Sequence, residues 1–329
     1  MPAIFSRSFF CPIFMNSVIV TGTLSFDCIM NYLGKFSDRI NPAKIHQISL
    51  SFLVEKMQKL MGGTAGNIAY TLRLLGLKPV ILAAAGNDFG PYHKLLNLRS
   101  INTRYIKRYK NITTGMYFVI TDQTDNQIGA FYAGSNNFNK KLHLPKINNS
   151  FLMIAANDPA AMKKYVAEAM KYKYKYMYDP AFQVGGMPKT DLASGIKNAV
   201  ITIGNDYEVD LMQKRLNMTH RELVKTAKIL ITTLGENGSV IETAVPKPQK
   251  ILIKRAQPKN TTDPTGAGDA YRAGFLAGFL RGFPLRICGQ MGSTAAVYTV
   301  EKYGTITHFF TKAEFVRRYK RNFGERLIL

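Results

Sequence analysis

At 329 residues and 46% hydrophobic content, the chain can bury a large core, as one large α/β domain or two smaller ones. No uninterrupted apolar run approaches about 18 residues, which argues against a transmembrane helix. Three widely spaced cysteines (Cys11, Cys28, Cys288) without a CxxC pair, and five scattered histidines without HExxH, argue against a disulfide framework or structural zinc and for a reducing cytoplasm. The net charge is +23, and basic stretches include KRYK (107–110), KYKYKY (171–176) and RRYKR (317–321). Lys and Arg interleaved with Tyr suit nucleic acid. The preferred reading is a solvated basic surface, since charge alone says little about specific partners. The surplus also attracts an anionic substrate such as a nucleotide.

In chain order, the first stretch, MPAIFSRSFFCPIF, is apolar but interrupted by Ser6, Arg7 and Ser8. It lacks a signal peptide's long apolar core and cleavage site, and residues 1–16 read as a loose leader upstream of a start at Met15. VIVTGTL (18–24) predicts the opening strand. Residues 33–60 are helix-poor, with ISLSFLV (48–54) as a strand. PVILAAAGND (79–88) predicts a strand ending in a polar turn, and MYFVITDQTDNQIGAFYAG (116–134) a hairpin. FLMIAAND (151–158) leads through Pro159 into a helix, and KYKYKYMYDP alternates like a half-buried strand. AVITIGNDYE (199–208) and KILITTLGENG (228–238) are hydrophobic runs followed by Gly and polar residues. Alternating strands and helices predict a mostly parallel sheet covered on both faces, whose ligands gather at the strands' carboxyl ends. The segments at about 33–60 and 112–135 predict a small β-lid beside that body.

Chemistry concentrates in TTDPTGAGDAYRAGFLAGFL (261–280). Small residues Ala270, Ala273, Gly274, Ala277 and Gly278 at three- and four-residue spacing predict a buried helix that begins at the Gly-Ala-Gly-Asp segment. The first amides of a helix lack internal partners, its dipole adds positive potential, and glycines allow close approach, so the segment suits an anion. Asp269 would repel a phosphate there unless it took a proton from an attacking hydroxyl; equally, an acid simply favours a first helical turn. Neither GxxxxGK[ST] nor GxGxxG is present. In MGGTAGNIAYTLRLLG (61–76), Gly62 and Gly63 form a turn and Asn67 lies in the first turns of a helix, offering a donor and an acceptor to a polyol. Asp27 follows the first strand and suits two neighbouring hydroxyls. Asn205 and Glu208 in GNDYE suit a metal's water shell or a phosphate. Thr233, Leu234 and Gly235 precede ENGS, where backbone meets a nucleotide. Each has an equally good structural explanation when taken singly.

Their order is distinctive. An Asp after the first strand, then GGxxxN, NxxE, TLGxxG and D-P-T-G-A-G-D, resembles the ribokinase-like (phosphofructokinase B-type) sugar and nucleoside kinases over roughly residues 17 to 308. The family reads D-T-x-G-A-G-D, from which this chain departs at Pro264. Within the family, SFDCIMN, DNQIGAFYAGSNNF and DPTGAGDAYRAG look most like bacterial adenosine kinases. The resemblance implies a three-layer α/β/α sandwich with a mostly parallel central sheet and a small β-lid, spanning 17–329. It implies ATP-dependent phosphorylation of the 5′-hydroxyl of adenosine to AMP, with Mg²⁺.

Carried onto this sequence, Asp269 becomes the general base, and Gly266, Ala267, Gly268 and Asp269 supply the amides that stabilise the phosphoryl group. Asp27, Gly62, Gly63 and Asn67 match ribose-gripping positions. Asn205 and Glu208 match the segment ordering Mg²⁺ and phosphate through water, and Thr233, Gly235 and Gly238 match the ATP site. Asp263 and Thr265 lie where many relatives bind a monovalent cation such as K⁺. For the adenine wall, Phe118 and Phe131 are the leading aromatics, with Phe52 and Tyr132 as further candidates. Arg272 either approaches phosphate, the reading preferred here, or is a structural charge paired elsewhere. The alternatives are a sugar kinase acting on ribose or another pentose or hexose, and a basic nucleic-acid-binding protein on an inactive kinase fold. A monomer or homodimer without membrane or nucleic-acid partners is expected.

Overall fold

The computed structural model describes residues 15, 17–40, 49–124 and 126–329; the leader at 1–14, with Cys11, and Ile48 lie outside the described residues. Aliphatic runs build a nine-stranded sheet. Its parallel part comprises β1 (Ser17–Thr21), β4 (Lys78–Ala85), β5 (Asn102–Arg108), β8 (Ser150–Ile154), β9 (Tyr176–Tyr178), β10 (Ile201–Asn205) and β11 (Ile229–Thr233), with β5 at one edge. At the other edge, β12 (Ser239–Thr243) and β13 (Gln249–Ile253) add antiparallel, giving the order β13-β12-β11-β10-β9-β8-β1-β4-β5. Parallel strands buried on both faces read as continuous hydrophobic runs, as in Val18–Val20, Leu152–Ile154 and Ile229–Ile231, all fully buried.

Alternation along those strands divides the core in two. One face, with Val18, Val20, Met153, Ile203 and Ile231, packs against α1 (Thr64–Leu74), α2 (Gly90–Leu98), α7 (Ala267–Phe279), α8 (Leu285–Val300) and α9 (Lys312–Phe323). The other, with Ile19, Leu152, Ile154 and Leu230, packs against α3 (Pro159–Lys171), α4 (Lys189–Asn198), α5 (Asp206–Leu216) and α6 (His220–Ala227). This is the expected three-layer sandwich. Glycines let α7 and α8 touch along their backbones: a Cβ at Gly274 would meet the Met291 carbonyl oxygen at 2.5 Å, and one at Gly292 the Tyr271 carbonyl oxygen at 2.9 Å. The small-residue face anticipated on α7 is thus its seam with α8.

A second sheet, β3-β2-β6-β7, forms the lid from β2 (Ser25–Asn31), β3 (Lys56–Gly62), β6 (Gly115–Thr121) and β7 (Gln127–Tyr132). Three expectations need correcting here. The opening strand ends at Thr21, because Gly22–Leu24 carries the chain across to β2. The described part of 48–54 is not a strand; the lid strand comes at Lys56–Gly62, and Phe52 instead packs edge-on against Tyr32 and Phe36. In KYKYKYMY only Tyr176–Tyr178 is extended, since α3 runs on to Lys171 and Lys173 turns the chain with φ 58°.

The chain crosses between body and lid four times, and the crossings bond to one another. Ala65 N donates to Thr23 O (3.0 Å) and Thr23 N to Thr64 Oγ1 (3.1 Å). Asn136, buried at the end of the hairpin, accepts from Leu24 N (3.2 Å) and donates to Leu24 O (3.0 Å), while Ser135 N donates to Thr113 O (3.0 Å). Asn139 donates to Asn157 Oδ1 (2.7 Å), and Asn157 donates to Gly22 O (3.2 Å).

Candidate active site

The loop Asp263–Gly266 turns into α7 through Gly266 at φ 80°, a left-handed conformation that glycine adopts without strain. A Cβ there would lie 2.8 Å from Thr305 Cγ2, so the loop packs directly under Gly304–Thr305. Asp263 fixes the turn: its Oδ1 accepts from Thr265 N (2.9 Å) and its Oδ2 from Gly304 N (3.0 Å). Asp269 sits in the first turn of α7, and its Oδ2 accepts from Asn67 Nδ2 at 2.8 Å. Two elements distant in sequence therefore meet at one carboxylate. The other amide atom of Asn67, Oδ1, is buried without a hydrogen-bond partner among the described residues. An unmet acceptor of this kind costs stability and suits a ligand's hydroxyl.

Asp27 follows the first strand as expected and lies on β2 within the lid. A Cβ at Gly62 would fall 2.2 Å from Asp27 Oδ2, so this glycine makes room for the carboxylate across the strand pair. Gly63, at φ 91°, turns the chain into α1, where a Cβ would meet Thr23 O at 2.6 Å. Residues opposite one another in register share a face. Asp27 therefore stands with Leu60, Tyr117 and Phe131, and a Cβ at Gly129 would lie 2.5 Å from Tyr117 Oη on that face. Leu60 in turn lies against Gly304, so this face looks toward the start of α7. Phe118 pairs in register with Cys28 and Ala130 and points the other way. Of the two leading aromatics, only Phe131 shares the Asp27 face. Tyr117, which takes the place expected of Phe118, escaped the sequence reading, although the period of two from Gly115 would have flagged it.

The carboxylates perturb one another. Burial, then the nearby charges of Asp263 and Asp269, raise Asp27 to about 7. Burial raises Asp269 to about 6, opposed by Arg272 and the Asn67 hydrogen bond and reinforced by Asp179. A carboxylate in this range can take a proton near neutral pH.

On the other side of the Gly266–Asp269 turn lies a cavity of about 390 Å³. Thr233, Gly235 and Gly238 line it after β11, with Ala267, Gly268 and Tyr271 from α7 and Ala296, Val297 and Val300 from α8. Arg255, Pro258 and Thr261 close it further and were not anticipated; nor was the α8 wall, whose small residues repeat the α7 pattern. Asn205 and Glu208 form a reciprocal cap at the start of α5: Asn205 Oδ1 accepts from Glu208 N (2.7 Å) and Glu208 Oε2 from Asn205 N (2.8 Å). Burial and Asp179 hold Glu208 above the ordinary carboxylate range. Arg272, buried, is clasped by Asp179 after β9: Nη2 donates to Oδ1 at 2.7 Å and Nε lies 2.5 Å from Oδ2. Asp179 was missed, although it occupies the polar tail of a strand.

This arrangement, a nucleotide-sized cavity and a lid meeting at one helix start, is that of a phosphoryl-transfer enzyme. The pfkB family carbohydrate kinase model matches residues 15–312, and the chain belongs to that family. It is 28% identical over 315 residues to a nucleoside kinase of Methanothermobacter thermautotrophicus, covering 94% of this chain and 97% of the other. It is 30% identical over 284 residues to the nucleoside kinase of Methanocaldococcus jannaschii, covering 86% and 93%. Among solved structures, the nucleoside kinase of Burkholderia thailandensis in complex with inosine superposes with a TM-score of 0.86 at 27% identity, covering 94% of this chain and 99% of that one. Its complex with ADP-inosine gives 0.81 at 28%, covering 94% and 97%. The protein is thus a ribokinase-fold kinase of the nucleoside and sugar class.

Proposed function

We propose that this kinase transfers the γ-phosphoryl group of ATP to the 5′-hydroxyl of a purine nucleoside, with adenosine as the preferred acceptor. The observation that carries the reading is Asp269, at the start of α7, bonded to Asn67 and facing the lid carboxylate Asp27. Likeness to nucleoside kinases, one of them solved with inosine and with ADP-inosine, supports a nucleoside over a free sugar. The aromatic face around Tyr117 and Phe131 supports a planar base.

In this mechanism Asp27 and the free Oδ1 of Asn67 take the ribose hydroxyls, directing the 5′-hydroxyl at Asp269. Asp269 accepts its proton as the oxygen attacks the γ-phosphorus, and the bond to the β,γ-bridging oxygen breaks, releasing ADP. The amides of Gly266, Gly268 and Asp269 meet the charge on the transferring group, whereas the Ala267 amide, expected to join them, already donates to Pro264 O at 3.1 Å within the turn. ATP occupies the 390 Å³ cavity beneath Thr233, Gly235 and Gly238. Mg²⁺ would neutralise phosphate charge, and Asn205 and Glu208 would order it through water; the capping bond engages only Oε2 of Glu208 and leaves Oε1 free for that role. Both oxygens of Asp263 already accept amide hydrogens, so a monovalent cation at Asp263 and Thr265 relies on loop carbonyl oxygens.

The test is ATP consumption with Mg²⁺ across adenosine, inosine, guanosine, ribose and fructose. Adenosine well ahead of the others is expected. Preference for another nucleoside keeps the mechanism and moves the base specificity, and preference for a free sugar overturns the nucleoside reading. Silence across the panel with folded protein favours an inactive fold and returns attention to the +23 charge.

A further inference from the structure

The Arg272–Asp179 pair is built in a way that the fold alone does not require. Arg272 is 7% exposed and Asp179 1%. Both nitrogens on one edge of the guanidinium, Nη2 and Nε, face the two oxygens of Asp179. Nη2 makes the one hydrogen bond of the pair and Nε adds a close ionic contact without hydrogen-bond alignment, which together restrict the group's orientation. The remaining nitrogen, Nη1, has no hydrogen-bond partner among the described residues. It lies against Gly268, where a Cβ would come within 2.7 Å of it. Gly268 itself lines the nucleotide-sized cavity. One edge of the guanidinium is therefore held by Asp179, and Nη1 lies beside Gly268 at the helix start, behind the cavity wall that Gly268 forms.

The surrounding charges ask for such a cation. Asp269 on α7, Asp179 after β9 and Glu208 on α5 all act electrostatically on Arg272, and Asp27 on the lid faces Asp269. Arg272 is the buried cation among these carboxylates at the start of α7.

Resting on the kinase reading above, we infer that Arg272 is a catalytic residue whose Nη1 contacts the γ-phosphoryl group of the nucleoside triphosphate, and that Asp179 is the positioning residue that aims it. Arg272 adds a fixed positive charge beside the Gly266–Asp269 amides, where charge accumulates on the transferring group. Lysine cannot substitute, because a single ammonium cannot hold both oxygens of Asp179 and still reach Gly268.

The experiment compares calorimetric binding of ADP and of the non-hydrolysable triphosphate AMP-PNP to wild type, Arg272→Gln, Arg272→Lys and Asp179→Asn, with turnover measured alongside. Arg272→Gln is expected to weaken AMP-PNP at least ten-fold while ADP stays within two-fold, and to lower kcat about a hundred-fold with little change in the nucleoside KM. Asp179→Asn, which keeps the cation but loosens its aim, should lower kcat about ten-fold, and Arg272→Lys should not restore it. Equal weakening of both nucleotides, or none, would make the pair purely structural and overturn the inference. If Arg272→Gln does not fold, Asp179→Asn and Arg272→Lys decide by the same ADP-to-AMP-PNP ratio. Because that ratio needs no acceptor, a wild type inactive on every acceptor would defeat the functional proposal while leaving this inference standing or falling on binding.

Discussion

The body and the lid hold their parts of the site by opposite means. At the body, Asp269 begins a helix whose seam with α8 is backbone against backbone, and its carboxylate is further tied to Asn67 on α1. On the lid, β7 is exposed along its whole length, and Phe131 and Tyr132 are each 47% accessible. A close-packed interior tolerates little displacement, whereas an exposed face can change side chains without disturbing a core. On the proposed mechanism the difference teaches a division of labour, with chemistry assigned to the rigid half and choice of acceptor to the open half.

Four substitutions separate the halves. Asp269→Asn, on the body side, should lower kcat by roughly 10²–10⁴-fold, the usual worth of a general base, while nucleoside binding persists. Turnover near wild type would remove Asp269 from the reaction. In the wild type, activity should fall as pH drops through about 6, where Asp269 takes up its proton. Asp27→Asn, on the lid, should act on binding instead. Hydrogen bonds to a charged group are worth about 1.5–3 kcal/mol, or roughly ten- to a hundred-fold in KM. A loss confined to kcat would place Asp27 among the chemical groups and erase the contrast.

A smaller effect is expected from the two faces of β6. Tyr117→Ala should raise the nucleoside KM about five-fold, consistent with about 1 kcal/mol from an aromatic contact, whereas Phe118→Ala should leave it within two-fold. The reverse order in steady-state kinetics would turn the lid over. The last prediction concerns stability. Asp27 titrates near 7 in the folded protein, above the ordinary 3.8, so folding favours its protonated form. That stabilisation is complete below about pH 4 and is lost as pH rises through 7. Asp27→Asn should therefore melt higher than wild type at pH 8, with the gap closing toward pH 4. Equal melting at both pH values would mean that its charge is well accommodated.

The body was the more legible half for a physical reason. Parallel strands covered on both faces leave continuous apolar runs, and an anion-binding helix start leaves glycines next to an acid; both survive as local patterns in VIVTGTL and GAGDAYRAG. The lid depends on pairing partners. Whether Phe118 or Tyr117 faces the cleft follows from register, since one step along a strand exchanges the faces. ISLSFLV has strand-forming residues, yet the partner of β2 is KMQKLMG, which has little apolar alternation to announce it. Arg272 shows the same limit: its sequence neighbours advertise phosphate, while its strongest partner, Asp179, stands 93 residues away.

The bonded crossings at Thr23, Leu24, Thr113 and Ser135 set how the small sheet can travel. Four passages of chain knotted at one waist behave as a single spine, and the strands are bound to it like pages. Displacing one strand alone would break those bonds, so the small sheet is expected to move as a unit if it moves at all. Asp27, Leu60, Tyr117 and Phe131 are held at fixed mutual spacing by that pairing, so on the proposed function a nucleoside would meet them as one preassembled template.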